Sequence, residues 1–243
     1  MEFFLLRRSF VRWPNDDAID YSGDYLRHMS SKAIPFEPGS FYHIYHQGNA
    51  GEGIFRCDEN FRYFLEKYAI YIQPLCETYA YSLLPNHFHF AVRFKEEEVI
   101  RRVLQERFVE IHPDKTPAEL KTPPELAQAV SKQFNDFLNG YTQGFNRWHK
   151  RKGRLFGESL KRKKIDSIEY LLNLIHYIHK NAVHHGFCNA MDEWIYSSYH
   201  SHLSEKPTRL SREKGLALFN GLENFNAIHQ KQIDKTFLLE LEF

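Results

Sequence analysis

Residues 76–94 constrain the fold more than any other part of the sequence. They form two apolar, aromatic-rich runs, 76–84 and 87–94, separated only by Pro85-Asn86. Runs of this length and composition are typical of strands, and proline and asparagine are typical turn residues. The sequence therefore predicts a tight antiparallel hairpin.

The second of these strands carries two histidines, His87 and His89. Successive side chains of a strand point to opposite faces, so both imidazoles point one way while Phe88 and Phe90 point toward a core. Two imidazoles on one face suit a divalent metal ion. The alternative is that one or both only hydrogen-bond within the fold, and a His-x-His pattern alone does not decide between the two.

Composition limits the class of protein. The 243 residues fit one domain with elaborations, and 42% hydrophobic and 16% aromatic residues provide for a core. The chain has no apolar run of about 18 residues, so no transmembrane span is predicted. The first eight residues do not resemble a signal peptide. Three widely spaced cysteines argue against a disulfide framework, and we expect a cytoplasmic protein.

Residues 143–164 concentrate positive charge, although the net charge of the chain is only +1. Phe145, Trp148, Leu155 and Phe156 are interleaved with the cations. Cations suit phosphates and aromatic rings can stack on bases, so the segment predicts nucleic-acid binding. The alternative is a solvated surface with the aromatic residues in the core. The candidate binding residues are Arg147, Lys150, Arg151, Lys152, Arg154, Lys161, Arg162, Lys163 and Lys164.

Hydrophobic periodicity places further elements around the hairpin. Asp58 and Ser167 are placed as helix N-caps, because short polar side chains accept hydrogen bonds from the first free N–H groups. Four prolines between residues 113 and 124 mark an exposed excursion, with a short helix around 97–108. The other predicted elements are a strand at 40–47, helices at 58–73, 131–150 and 168–183, a strand at 159–165, a loop at 192–203 and a helical stretch at 208–243 that breaks at Gly221.

This order of elements predicts an α+β fold. A ferredoxin-like (RRM-like) antiparallel sheet with helices on one face is the simplest architecture for it. The histidine face of the sheet is then either covered by the helix at 168–183 or open as a binding surface. The predicted organisation is an irregular N-terminal extension at 1–39, a catalytic domain at 40–203 with an insert at 95–130, and a helical C-terminal tail at 204–243.

The predicted helix at 168–183 supplies a second group of polar residues. Tyr177 and Asn181 are four positions apart and therefore share one helix face. Asn181 offers a carbonyl oxygen, a ligand that Mg²⁺ or Mn²⁺ accepts. Tyr177 is either a reactive group or a packing residue. His176 and His179 either orient a site or pack in the core.

Three motifs together resemble the single-tyrosine HUH transposases, in particular the transposase-like proteins associated with repetitive extragenic palindromes. The resemblance covers roughly residues 40–203. One departure is Ala182, where the family usually has proline, so the helix is expected to continue further here. The motifs are Leu84-Pro85-Asn86-His87-Phe88-His89-Phe90, the basic Gly153-Arg154-Leu155-Phe156, and Tyr177-Ile178-His179-Lys180-Asn181 with a downstream Trp194 and Tyr196-Ser197-Ser198-Tyr199.

This resemblance implies metal-dependent cleavage and rejoining of single-stranded DNA, the chemistry of DNA transposition. His87 and His89 would bind Mg²⁺ or Mn²⁺ with Asn181 as a third ligand, and Tyr177 would form a 5′-phosphotyrosine intermediate. The implied substrate is single-stranded DNA beside a hairpin, held by the basic segment. No membrane partner is expected, and the choice between monomer and homodimer is open.

Three rival interpretations use parts of the same pattern. A domesticated protein of the same fold would bind a DNA or RNA hairpin without cutting it. A nucleotide hydrolase of the histidine-triad type needs a third histidine where this chain has Ala91, which argues against that enzyme. In the third interpretation the histidines are only core residues.

Overall fold

A four-stranded antiparallel sheet lies at the centre of the protein. The computed structural model describes residues 34–117, 120–157, 159–233 and 237–238. The strands are β1 (Phe41–Gln47), β2 (Cys76–Leu84), β3 (His87–Phe94) and β4 (Lys161–Ile165). Their order in the sheet is β2-β3-β1-β4, so β4 lies at one edge.

Helices alternate with these strands and continue after the last one, which confirms the predicted α+β fold. The predicted elements at 97–108 and 168–183 extend to Ile111 and His184 in the structure. The helices of the described residues are α1 (Asp58–Tyr71), α2 (Glu97–Ile111), α3 (Pro123–Trp148), α4 (Ile168–His184), α5 (Tyr199–Leu203), α6 (Arg212–Leu218) and α7 (Leu222–His229).

The predicted hairpin is confirmed, with Pro85 and Asn86 as its two connecting residues. The Pro85 carbonyl accepts hydrogen bonds from the N–H groups of Ile54, at 2.7 Å, and Phe55, at 3.0 Å. The Asn86 carbonyl accepts one from the N–H of Gly48, at 2.8 Å. These bonds tie the turn to the segment that follows β1, so the position of the first histidine of β3 is fixed from outside its own strand.

Helices α1 and α3 cover one face of the sheet, where the phenylalanines of β3 point as expected. The ring of Phe64 lies 5.0 Å from that of Phe88 and 4.8 Å from that of Phe137. Tyr68 stacks on Phe90 with ring centroids 4.3 Å apart. Burying an aromatic side chain of this size contributes about 1.5–3 kcal/mol each, so this face is the main hydrophobic core.

A glycine sets the distance between these two helices. A Cβ atom added at Gly144 of α3 would overlap the ring of Tyr63 of α1. Glycine weakens an isolated helix, so the sequence predicts that α3 is locally less stable at this position. The structure shows why the residue is nevertheless there, because no larger side chain leaves room for the tyrosine.

Helix α4 covers the opposite face of the sheet. Of the two predicted possibilities, a histidine face covered by this helix or one open to solvent, the structure shows the covered face. Ala80 and Ala91 of the sheet belong to one buried cluster with Leu174 and Ile178 of the helix. Small strand residues allow a helix to approach closely. The tail adds a further layer, since Phe225 of α7 is fully buried in the same cluster.

The prediction that α3 begins at residue 131 is wrong, because the helix begins at Pro123. Thr122 accepts a hydrogen bond from the N–H of Glu125, whose side chain accepts one from the N–H of Thr122. Proline is well tolerated in the first turn, where its missing N–H costs nothing. The prolines mark the start of the helix, and the exposed excursion is shorter than expected.

Smaller differences concern caps and termini. Asp58 is the first residue of α1 and Cys57 occupies the N-cap position, so the N-cap predicted at Asp58 is wrong. The N-cap at Ser167 is confirmed, since its hydroxyl accepts from the N–H of Tyr170 at 3.1 Å. The predicted loop at 192–203 ends in the short helix α5. The tail breaks at Gly221 as predicted, with φ +109°, and residues 1–33 of the predicted extension lie outside the described residues.

Candidate active site

Both histidines of β3 lie on the sheet face that α4 covers. His89 pairs with Tyr45 of β1 and His87 pairs with Gln47, so these side chains share one face. The ring of Tyr177 stands nearly perpendicular to that of His89, with centroids 5.6 Å apart. The tyrosine, from a helix far along the chain, is therefore in contact with His89.

Asn181 reaches the other histidine from the same face of α4. Its Oδ1 lies 3.2 Å from Nε2 of His87. Both Tyr177 and Asn181 are buried, at 4% and 0% exposure. The structure thus brings together four residues that the sequence singled out, although their chemical roles remain predictions.

His87 is placed between two amide oxygens. Its Nδ1 lies 2.7 Å from Oδ1 of Asn86, and its Nε2 faces the Asn181 oxygen on the other side. A neutral imidazole carries one N–H, so it can donate to only one of them. With the proton on Nδ1, directed at the shorter contact, the lone pair on Nε2 faces the Asn181 oxygen in the amide orientation of this structure. Two acceptors that face each other are the arrangement a cation stabilises.

The separation of these two acceptors fits an octahedral ion. Adjacent ligands of Mg²⁺, at bond lengths of about 2.1 Å, are about 3 Å apart. The Nδ2 atom of Asn181 is buried without a hydrogen-bond partner, so no contact of Nδ2 prevents the amide from turning either its oxygen or its N–H toward His87. The His87 and Asn181 donors therefore fit a divalent ion, and the ring of His89 lies 5.2 Å from that of His87. No group of three or more His, Cys, Asp or Glu side chains suited to a metal occurs among the described residues, so the amide is essential to the set.

Burial keeps these histidines neutral. It lowers the pKa of His87 to about 4, and the neighbouring His185 adds to the effect while the contact with Asn181 opposes it. The pKa of His89 is held well below its usual value, first by burial and then by His43 and His87. A metal ligand must be unprotonated, so both imidazoles are ready for coordination at neutral pH.

Two further histidines of this face were missed by sequence reasoning. Nε2 of His43, on β1, lies 2.9 Å from Nδ1 of His89. The ring of His185 lies 4.8 Å from that of His87. His185 is four residues after Asn181, a spacing that could have indicated it. Position 43 could only be found from the pairing of β1 with β3, which the sequence does not specify.

The expectation that the helix continues past Ala182 is confirmed, since α4 runs to His184. Helical backbone through Ala182 carries the chain to His185, the C-cap residue, beside His87. Lys180 donates to the backbone oxygen of Lys231 at 2.9 Å. His179 is fully buried and bonds to the tail, so it has a structural role.

The basic residues of β4 lie on two opposite faces of the sheet. Lys161 pairs with Tyr45 and Lys163 pairs with His43, so both lie on the histidine face. Arg162 lies on the opposite face, where its guanidinium group is 4.0 Å from the ring centroid of Phe36. Lys164, on that same face, forms a salt bridge with Glu37. Strand alternation therefore separates two of these four cations from the candidate site.

The basic connection between α3 and β4 lies beside the His87 end of the sheet. The N–H of Gly157 donates to the carbonyl of Gln47 at 3.1 Å, and Gln47 is the partner of His87 in the sheet. Arg151 is bound to Glu52 in a salt bridge, which makes it a structural residue. The exposed cations of this connection and its flanks are Arg147, Lys150, Lys152, Arg154 and Lys161.

The apolar residues of the basic segment differ in their burial. Phe145, Leu155 and Phe156 are buried in the main core. Trp148 is 47% exposed. Only the tryptophan of these four residues is therefore exposed, and the core alternative holds for the other three.

None of the described helices is both long enough and apolar enough to cross a membrane. Comparison with known sequences gives no matching family model and no matching curated protein. Among solved structures, a REP-associated tyrosine transposase bound to a REP hairpin aligns with 74% of this chain and 89% of its own. The TM-score is 0.48 and the sequence identity 14%. A structural similarity this low supports no conclusion about function, which therefore depends on the geometry of the site.

Proposed function

We propose that the protein cleaves and rejoins single-stranded DNA through a covalent bond to Tyr177. The observation that carries the proposal is the meeting of two elements far apart in sequence. The Tyr177 ring lies against His89, and the Asn181 oxygen faces a lone pair of His87. A nucleophile beside a candidate divalent-ion site is the constellation that phosphodiester transfer requires.

The reaction exchanges one phosphate ester for another. The Tyr177 oxygen attacks the phosphorus atom, a Tyr–O–P bond forms and the P–O3′ bond breaks. The phenol loses one proton and the departing 3′ oxygen gains one. The product is a 5′-phosphotyrosine with a free 3′-hydroxyl. Because one ester replaces another, a 3′-hydroxyl can reverse the reaction and rejoin DNA without an external energy source.

The residues of the site have separate roles in this proposal. His87, His89 and Asn181 would hold Mg²⁺ or Mn²⁺, and the ion when bound would polarise the scissile phosphate. Helix α4 positions Tyr177 and Asn181 four residues apart, so the nucleophile and a metal ligand move as one rigid unit. Burial under α4 excludes bulk water, which would otherwise compete for the phosphorus.

The exposed cations beside the His87 end of the sheet are proposed to hold the DNA backbone. They are the five exposed members of the basic segment, with Trp148 as the exposed stacking group. Phosphate contacts of this kind position a strand without reading its sequence. A hairpin beside the scissile strand would supply the duplex that fixes the cleavage position.

One observation favours a second function, binding a DNA hairpin without cutting it. Tyr177 is only 4% exposed, so a phosphate must displace part of its surroundings to reach the hydroxyl oxygen. A binding protein would keep the basic surface and leave this tyrosine as a packing residue.

Covalent capture separates the two functions. Full-length protein is incubated with Mn²⁺ and 3′-labelled DNA hairpins that carry randomised single-stranded flanks, then denatured and run on a gel. We expect a labelled adduct from the wild type and from Tyr170→Phe, a matched tyrosine two turns earlier on α4. Tyr177→Phe should bind the same DNA and give no adduct. Binding by the wild type with no adduct from any flank would establish the non-cleaving function.

A further inference from the structure

Among the described residues, His89 of the proposed metal site has one hydrogen-bond partner, which is His43. Its Nε2 lies 2.9 Å from Nδ1 of His89, and the rings are nearly parallel, with centroids 5.1 Å apart. Both side chains are buried, at 1% and 7% exposure. The contact joins adjacent strands, β1 and β3.

This contact fixes which nitrogen of His89 can bind a metal. Nδ1 is occupied by His43, so only Nε2 is available for coordination. A coordinating nitrogen needs its lone pair, which places the proton of neutral His89 on Nδ1. Nδ1–H then donates to Nε2 of His43, and His43 carries its own proton on Nδ1.

We infer that His43 is a positioning residue that holds His89 in the Nδ1–H tautomer and so presents Nε2 to the metal. The inference rests on the metal site of the proposed function. A ligating histidine usually donates its second N–H to an acceptor, and the loss of that acceptor typically weakens metal binding 10- to 100-fold. In this chain the acceptor is an imidazole rather than a carboxylate.

The surroundings of His43 direct its ring at His89. Its Nδ1 is buried and has no hydrogen-bond partner. Among the described residues, the contact with His89 is therefore the hydrogen bond that the ring makes. Tyr45 stacks on the same ring, with centroids 4.6 Å apart, and so limits its rotation.

Three substitutions test the inference by the dissociation constant of Mn²⁺, measured by electron paramagnetic resonance on the full chain. His43→Phe keeps a ring for Tyr45 but offers no acceptor, and should raise the constant about 10- to 100-fold. His43→Gln places an amide oxygen near the position of Nε2 and should restore most of the affinity. His46→Phe, on the same strand but the opposite face, is the matched control and should bind as the wild type does.

A second measurement needs no variant. Long-range ¹H–¹⁵N spectra of the Mg²⁺-loaded wild type report which nitrogen of His89 carries the proton, and we expect Nδ1. A proton on Nε2, or unchanged Mn²⁺ affinity in a folded His43→Phe variant, would overturn the inference while leaving the proposed function intact. If His87→Ala does not weaken Mn²⁺ binding, the proposed metal site itself fails.

Discussion

Two groups of buried histidines lie on either side of α4, and they differ in how completely their nitrogens are used. The sheet-side group consists of His43, His87 and His89. The helix-side chain is a chain of hydrogen bonds through Ser198, His179 and His229. Ser198 lies in the loop before α5, His179 in α4 and His229 in α7, so the bonds join these three segments. Burial lowers the pKa of the histidines in both groups, so protonation does not distinguish them.

In the helix-side chain every hydrogen bond has a determined direction. His229 donates from Nδ1 to the carbonyl of Phe225 at 2.7 Å, so its Nε2 must accept from Nδ1 of His179, at 2.9 Å. Nε2 of His179 then accepts from the hydroxyl of Ser198 at 2.8 Å. That hydroxyl oxygen accepts in turn from the N–H of Tyr81. No lone pair on an imidazole remains for a ligand.

The sheet-side group is less completely hydrogen-bonded. His87 faces two oxygens with one proton, and Nδ1 of His43 has no partner. An unpartnered nitrogen alone does not mark a metal ligand, because Nε2 of His176 and Nδ1 of His202, on the helix side, are also buried without a partner. The sheet-side group differs in that Nε2 of His87 lies 3.2 Å from the Asn181 oxygen. The helix-side chain instead fixes α4 to its neighbours and so holds Tyr177 in place.

The largest expected difference between the groups is in catalysis. His87→Ala should lower adduct formation at least about 1,000-fold, or about 4 kcal/mol in activation free energy, because it removes a proposed metal ligand. Under conditions where it is folded, His229→Phe should lower the rate less than about tenfold. Gel quantification of the adduct measures both, and equal losses would abolish the distinction.

For folding stability we expect the opposite result, with substitutions in the helix-side chain costing more than those in the sheet-side group. His179→Leu leaves the Ser198 hydroxyl and Nε2 of His229 buried without partners, at about 1–3 kcal/mol each. We expect about 3 kcal/mol less free energy of unfolding in urea. His87→Ala, at a site whose bonds are already incomplete, should cost less. A larger loss for His87→Ala would show that the sheet-side group is the structural one.

Metal binding should stabilise the protein through the sheet-side group alone. At an Mn²⁺ concentration of about 100 times its dissociation constant, the free energy of unfolding should rise by about 2.7 kcal/mol. Asn181→Leu keeps the side-chain volume but removes the oxygen, so it should lose this increase. Thermal denaturation with and without Mn²⁺ measures the effect, and equal stabilisation of both proteins would place the ion elsewhere.

Acid should destabilise the fold through these buried histidines. Burial lowers the pKa of His229 to about 3, whereas an unfolded histidine has a pKa of about 6.5. Between these values only the unfolded chain binds the proton, so the free energy of unfolding falls by about 1.4 kcal/mol per pH unit for each such histidine as the pH decreases. The stability is fully present above about pH 6.5.

Replacing one of these histidines should reduce that dependence. His229→Phe should lower the slope of unfolding free energy against pH by about one proton in urea titrations near pH 7, 6 and 5. An unchanged slope would mean that His229 is charged in the folded protein and would contradict the lowered pKa.

The smallest expected effect concerns the two faces of β4. Lys161→Ala should weaken single-stranded DNA binding and reduce the logarithmic salt dependence by about 0.7, because Lys161 lies on the histidine face. Lys164→Ala, on the opposite face, should leave that salt dependence unchanged. Fluorescence anisotropy over a salt series measures both, and equal slopes would contradict the division of cations by strand alternation.

Local patterns in the sequence predicted most of the elements. The hairpin at Pro85-Asn86, the N-cap at Ser167 and the break at Gly221 depend on backbone preferences of neighbouring residues, which a single sequence displays. The start of α3 at Pro123 was missed because proline suits both a loop and a first helical turn. The cap at Thr122 with Glu125 was the signal that distinguished the two.

Contacts between distant segments could not be predicted from the residues alone. The proximity of Tyr177 to His89 was expected only through the resemblance to a family. The contact of His43 with His89 depends on the register of β1 against β3, and a shift of one residue would move His43 to the other face. The separation of Arg162 and Lys164 from Lys161 depends on the same alternation in a strand whose neighbours the sequence does not identify.

The position of β4 at the edge of the sheet has a consequence for self-association. An edge strand exposes unpaired backbone groups that can recruit another strand and start aggregation. Four of the five residues of β4 are lysine or arginine. If two copies met along this edge, like charges would face each other across the new strand pair, which is unfavourable. The basic strand therefore protects the sheet from growing into a larger one, and any homodimer is expected to use another surface.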